Sequence, residues 1–211
     1  TAYRRQRQMC IRDSLYQAEQ DIETNWMASI QATGEMQKDL LNVRLETLRM
    51  LAMVENTSQQ TIDDSAAQSY RTALQQILDQ YGRHMVSTDV ERGMFNRVNT
   101  SAQTYLSGQQ QIVDSLRQNQ LSQALALANG SVREAGATLQ QQLDELTAYN
   151  MQGAKQAGIN ANTIYQHGRT GVLVTISVAV LLTVLLATLL TRSIAAPIRE
   201  ALQSACLLYT S

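Results

Sequence analysis

Residues Gly171 to Leu190 read GVLVTISVAVLLTVLLATLL, with Arg169 before the run, Arg192 after it and no charged side chain inside it. At about 1.5 Å of rise per residue, a helix of this length spans about 30 Å, the thickness of a bilayer's hydrocarbon core. A buried helix of a soluble protein rarely runs so far without a charged or strongly polar side chain. A secretory signal would lie at the N-terminus, whereas about 170 residues precede this run. The run predicts a membrane-spanning helix over 169–191. Arg192 and Arg199 follow it while Arg169, with His167 close by, precedes it, so the basic residues lean only weakly toward a cytoplasmic C-terminal side.

Working back from the span, residues 15–168 show helical periodicity broken by short polar clusters. The fourth helix opens at Ser122 and carries Val132, Leu139, Leu143, Leu146, Asn150, Gly153, Ala157 and Ile164 at steps of mostly three and four, the pattern of a bundle seam. Only lone glycines interrupt it before the span, which predicts one rod of roughly 65 residues, or about 100 Å. The first helix runs from about Leu15 to Asn56, with Met36, Leu40, Val43, Thr47, Met50 and Val54 on one stripe. After the Asn56-Thr57-Ser58 break, Asp63 or Asp64 caps a second helix bearing Tyr70, Leu74, Ile77, Leu78 and Tyr81, which stops at Gly82. Thr88 or Asp89 caps a third, with Met94, Val98, Ala102, Tyr105, Leu106, Ile112, Val113 and Leu116, ending at Asn119. Four helices joined by short loops predict an all-α, antiparallel up-down-up-down four-helix bundle continuous with the transmembrane helix.

Composition agrees. Of 211 residues 44% are hydrophobic and 5% aromatic, and the only proline is Pro197, so nothing upstream of it forces a helix to kink. Seventeen basic against 18 acidic residues leave a net charge of −1, without the footprint of a nucleic-acid binder. Cys10 and Cys206 stand near opposite ends, apart from any histidine or second cysteine, so no disulfide or metal site follows. His84 and His167 are likewise isolated. No Gly-rich phosphate loop, Ser-His-Asp set or paired buried carboxylates can be assembled, so neither an enzyme nor a cofactor is expected.

The ends read differently from the middle. Residues 1–14, with the run Arg4 to Ser14, and the tail Cys206 to Ser211 resemble translated sequencing-adapter reads, so both are set aside. A basic cytoplasmic leader is the other reading of the N-terminal run. On the adapter reading the chain is an internal fragment, and a first transmembrane helix is expected just before Leu15, because such a bundle returns its first helix to the membrane.

Asp39-Leu40-Leu41-Asn42-Val43-Arg44 and Leu48-Arg49 on the first helix, Tyr105-Leu106 and Ile112-Val113 on the third, and Ala124-Leu125 at the fourth carry a resemblance to the sensory domain of methyl-accepting chemotaxis proteins. Leu190-Thr191-Arg192-Ser193-Ile194-Ala195-Ala196-Pro197-Ile198 resembles the start of a HAMP linker, here 192–205. The resemblance implies a homodimeric receptor of the bacterial inner membrane with a periplasmic bundle. It also implies a cytoplasmic linker and a missing output domain that contacts the chemotaxis histidine kinase. HAMP linkers also serve histidine kinases and diguanylate cyclases, and a structural coiled-coil membrane protein without a ligand is the reading from another class.

Arg44 and Arg49, five positions apart, diverge by about 140° around one helix, so one copy cannot close both on a small ligand. Two copies across a two-fold axis can, with Arg44 of one and Arg49 of the other converging on a carboxylate of an organic acid or amino acid. The aspartate-sensing members of the resembled family carry a third arginine four positions on, where this chain has Met53. Alternatively, both arginines are solvated or pair with Glu35, Asp39 or Glu46. Counting up antiparallel helices from the membrane places Arg44 level with residues 131–141, which nominates Thr138 and Gln141 as neutral hydrogen-bonding partners. Trp26 is either an interfacial anchor or a bundle residue. Asn150, on the seam, is expected to fix register.

Overall fold

The computed structural model describes residues 16, 17, 19, 20, 22–195 and 198. The adapter-like ends, both cysteines, Pro197 and most of the HAMP-like stretch lie outside the described residues. After a π-helical segment, Ile22–Met27, come α1 (Ala28–Ala52), α2 (Thr57–His84), α3 (Asp89–Arg117), α4 (Leu121–Asn129) and α5 (Ser131–Leu190). A second π-helical segment covers Thr191–Ala195.

Tyr16–Asn160 form one compact unit. Side-chain pairs fix its topology. Gln60 of α2 donates to the Met50 carbonyl of α1 at the far turn. Arg117 of α3 meets Asp64 of α2 at 2.5 Å, while Gly82 of α2 lies against Phe95 of α3. Gly108 of α3 faces Val132 of α5, and Thr88 and Tyr149 share a hydrogen bond of 2.7 Å. Gln37 of α1 donates to Asp144 of α5 at 2.8 Å. Along every edge the residue numbers run in opposite senses, so the helices close an antiparallel up-down-up-down square, with α4 and the start of α5 as its fourth side. The stripes read from the sequence meet at its centre: Met36, Leu40, Val43, Leu74, Tyr81, Val98, Ile112, Leu139, Leu143 and Leu146 are buried.

The boundaries differ in three places. Helix α2 starts at Thr57, capped by Asn56, whose side chain accepts from the Gln59 N–H at 3.0 Å. Asp63, expected at the cap, is buried inside the helix. The same helix passes Gly82 and ends at His84, because a glycine there makes room for the Phe95 ring, 2.6 Å from where a Cβ would sit. The fourth helix is not one piece from Ser122. It breaks at Gly130, which ends α4 with φ −104° and ψ −113°. Thr88 caps α3 as read, accepting from the Glu91 N–H at 3.1 Å, and Asn119, at φ 57°, ends the turn after it.

From Ala161 the described residues belong to a second unit. Within it the apolar run of α5 is exposed from Val172 to Leu190. One helix among the described residues is long and apolar enough to cross a membrane, and it is this one. Thr175, Ser177 and Thr183 return their hydroxyls to carbonyls one turn back, so their polar groups are satisfied within the helix.

Candidate ligand-binding site

Two buried polar layers cross the unit 16–160. In one, Tyr81 donates its hydroxyl to Glu91 at 2.6 Å and accepts from the Asn150 amide at 2.7 Å. Glu91 also accepts from the N–H and hydroxyl of Ser87. Burial pushes the Tyr81 hydroxyl well above its ordinary pKa, and the bond to Glu91 adds to it. Asn150 therefore ties α5 to α2 and α3, the register role its seam position implied. In the other layer, Arg71 donates to Gln109 at 2.7 Å and to Gln68 and Gln110, while the Gln109 amide donates to Thr47 at 3.0 Å.

Thr47 also lines a cleft of about 610 Å³ beside α1. Arg44 and Leu48 of α1, Tyr105 of α3, and Arg133, Gln141 and Asp144 of α5 share its wall. Gly136 opens it: a Cβ there would lie 3.1 Å from the Tyr105 ring, so the glycine lets the tyrosine form the floor. Burial raises the Tyr105 hydroxyl to about 12, and the nearby Arg44 charge opposes the shift. Arg44 is exposed and forms no ion pair among the described residues. Asp144 is held by the amides of Gln37 and Gln140, at 2.8 and 3.0 Å. The cleft thus offers two cations, one carboxylate and neutral amides over an apolar floor, the donor set of a small polar ligand.

Of the four residues nominated from the sequence, Arg44 and Gln141 line this cleft together. Arg49 does not; its guanidinium pairs with Glu46 at 2.9 Å, as the surface-pair alternative held. Thr138 is exposed and outside the cleft. Sequence reasoning missed Arg133, Asp144 and Tyr105. Asp144 and Arg133 flank the Leu139–Leu143 seam, which was the available signal. Trp26 packs against Tyr149, ring centroids 6.2 Å apart, and over Gly153. That is bundle packing.

The family described as a four helix bundle sensory module for signal transduction matches residues 14–165, more than half of the chain. The chain belongs to this family. A relative is the protein YvaQ of Bacillus subtilis (strain 168), which is named as a sensory transducer. It is 23% identical over 194 residues, covering 90% of this chain and 33% of YvaQ. The chain therefore spans about a third of the length of the curated relative it matches. Membership of the family makes the bundle a sensory module of chemoreceptor-type signal transduction, with one candidate membrane helix at its C-terminal side.

Proposed function

We propose that this chain is the ligand-sensing part of a chemoreceptor, with the bundle outside the cytoplasmic membrane and a HAMP linker following the span. A small organic acid or amino acid binds where two copies meet, and the helix that enters the membrane transmits the event to a cytoplasmic output domain and its kinase. The observation that carries this reading is Arg44, an exposed cation without an ion pair among the described residues, at a cleft whose other wall is α5, the helix that continues into the apolar run. Burying a carboxylate against such a guanidinium gives a charge-assisted, bidentate pair.

A second copy is supported by α1 itself. Leu41, Leu45 and Leu48 are 56%, 45% and 52% exposed and follow a four-three spacing beside Arg44. Three leucines on one outward stripe form the seam of a helix pair. In that pair Arg49 of the partner copy trades Glu46 for the ligand.

Calorimetric titration of the full chain in detergent micelles, with a panel of amino acids and short dicarboxylates, tests the proposal. At least one compound is expected to saturate, and Arg44→Ala and Arg49→Ala should each weaken it by about thirtyfold or more, the equivalent of about 2 kcal/mol for a hydrogen bond to a charged group. Unchanged affinity in both variants removes the clamp. If no panel member raises the melting temperature, the ligand-free coiled-coil reading gains, because only a binder of the folded state stabilises it.

A further inference from the structure

The Arg44 cleft is polarised along its length, and helix register fixes how far apart its charges stand. Gln37 of α1 donates to Asp144 of α5 at 2.8 Å, so these two residues lie level in the antiparallel pair. Arg44 lies seven positions further along α1 (37 to 44), about 10 Å away along the axis. The same count on α5 reaches Ala137, beside Gly136, which meets the Tyr105 ring on the cleft floor. Arg133 lies one turn beyond, so both cations of the cleft line one half and Asp144 the other. Helical side chains lean toward the N-terminus of their own helix. Because α1 and α5 run in opposite senses, Arg44 and Asp144 lean toward each other, which leaves about 6–8 Å between their charged groups.

Both ends have capacity left. Arg44 and Arg133 form no ion pair among the described residues. The Gln37 and Gln140 amides both donate to Oδ1 of Asp144, and its Oδ2 accepts no hydrogen bond among the described residues. Between the ends the floor is apolar, with Leu40, Tyr105, Ile112 and Val132 buried. The polar side chains along the middle face protein partners. Thr47 donates to the Val43 carbonyl and accepts from Gln109, and the Gln141 amide donates to Glu145. Such a wall covers methylenes better than it serves a chain of peptide groups, which lose free energy when buried without partners.

An α-amino acid is too short to reach both ends. Its nitrogen and carboxylate carbon are two bonds apart, about 2.4 Å for an extended chain that advances about 3.3–3.6 Å per three bonds. Six bonds cover about 7 Å. With Arg44 as the carboxylate site, as in the function proposed above, we infer that the cleft takes an unbranched ω-amino carboxylate. Its carboxylate lies on the Arg44 guanidinium, its methylenes over Leu40, Tyr105 and Ile112, and its ammonium on Oδ2 of Asp144. The length of the spacer between the two charges then selects the ligand.

The test is calorimetric titration of the full chain in detergent micelles with 6-aminohexanoate and with its isomer 2-aminohexanoate, which holds the same charges two bonds apart. The first is expected to saturate and to bind about tenfold or more tightly than the second, because only it makes both charged contacts. Asp144→Asn should weaken 6-aminohexanoate by about tenfold or more, and Asp144→Glu, which keeps the charge, should bind it more tightly than Asp144→Asn does. Absence of saturable heat with 6-aminohexanoate in wild type, equal affinity for the two isomers, or an Asp144→Asn variant that binds like wild type overturns the inference. The Arg44 clamp is decided separately, by the loss that Arg44→Ala causes across the carboxylate panel.

Discussion

Two substitutions at single residues expose what the buried polar groups contribute. Tyr81→Phe deletes the hydroxyl between Glu91 and Asn150 and leaves both without that partner in a dry layer, a loss of about 1–3 kcal/mol. It should lower the melting temperature without changing the oligomeric state. Asp39→Asn should act in the opposite direction. Burial holds the Asp39 carboxyl above its ordinary pKa, with Lys38 opposing and Glu35 adding. A carboxyl that binds its proton more readily folded than unfolded withdraws stability as pH rises through the interval above its unfolded value. The variant should therefore melt higher than wild type at pH 7, and the difference should vanish below about pH 3.9, the unfolded value. A difference that is the same at pH 7 and pH 3 would show that the gain has another origin. Residues such as these are hard to read from sequence. Glu91 and Asp39 look like any helix-surface acids, and only the packing of neighbouring helices makes one a hub and covers most of the other.

At the scale of the element, the apolar stripes were legible because a 3.6-residue period leaves few alternatives for a chain with a single proline. Ends were less legible. Asn56 carried its own signal, since Gln59 follows at the spacing of a capping box, but the later pair Asp63 and Asp64 drew the cap inward. The structure uses Asp63 as a buried partner of Gln59, at 2.7 Å. Of the two caps offered for α3, Thr88 and Asp89, the structure uses Thr88, which carries the same pattern with Glu91 three positions on. Thr88→Ala should cost about 1 kcal/mol through the lost cap, read as a lower denaturation midpoint. Gly130 was the misread break: a Cβ there would meet the Ala126 carbonyl at 2.9 Å, backbone that cannot step aside cheaply. Gly130→Ala is expected to destabilise the fold, whereas Gly34→Ala, where nothing lies within 4 Å, should be neutral or mildly stabilising. Equal melting temperatures for the two variants would contradict the strain at the α4–α5 joint.

For the whole molecule, the sequence yielded the bundle and the apolar run but only half of the candidate site. Counting residues along antiparallel helices placed Arg44 level with Gln141 because helix rise is fixed. It could not supply rotation about the axis, which sends Thr138 away from the cleft and brings Asp144 into it. The leucine stripe on α1 carries the expectation of a two-fold pair, and Leu45→Glu should shift sedimentation of the full chain in detergent toward the monomer. Ligand recognition in trans is the central claim, and mixed dimers test it most directly. Chains carrying Arg44→Ala and Arg49→Ala, tagged differently and purified as a mixed dimer, retain one interface site with both arginines. That dimer should bind the ligand found by titration at one site with wild-type affinity, while each parent dimer binds it about thirtyfold or more weakly. Mixed dimers as weak as both parents, or an Arg44→Ala dimer that binds like wild type, would contradict it.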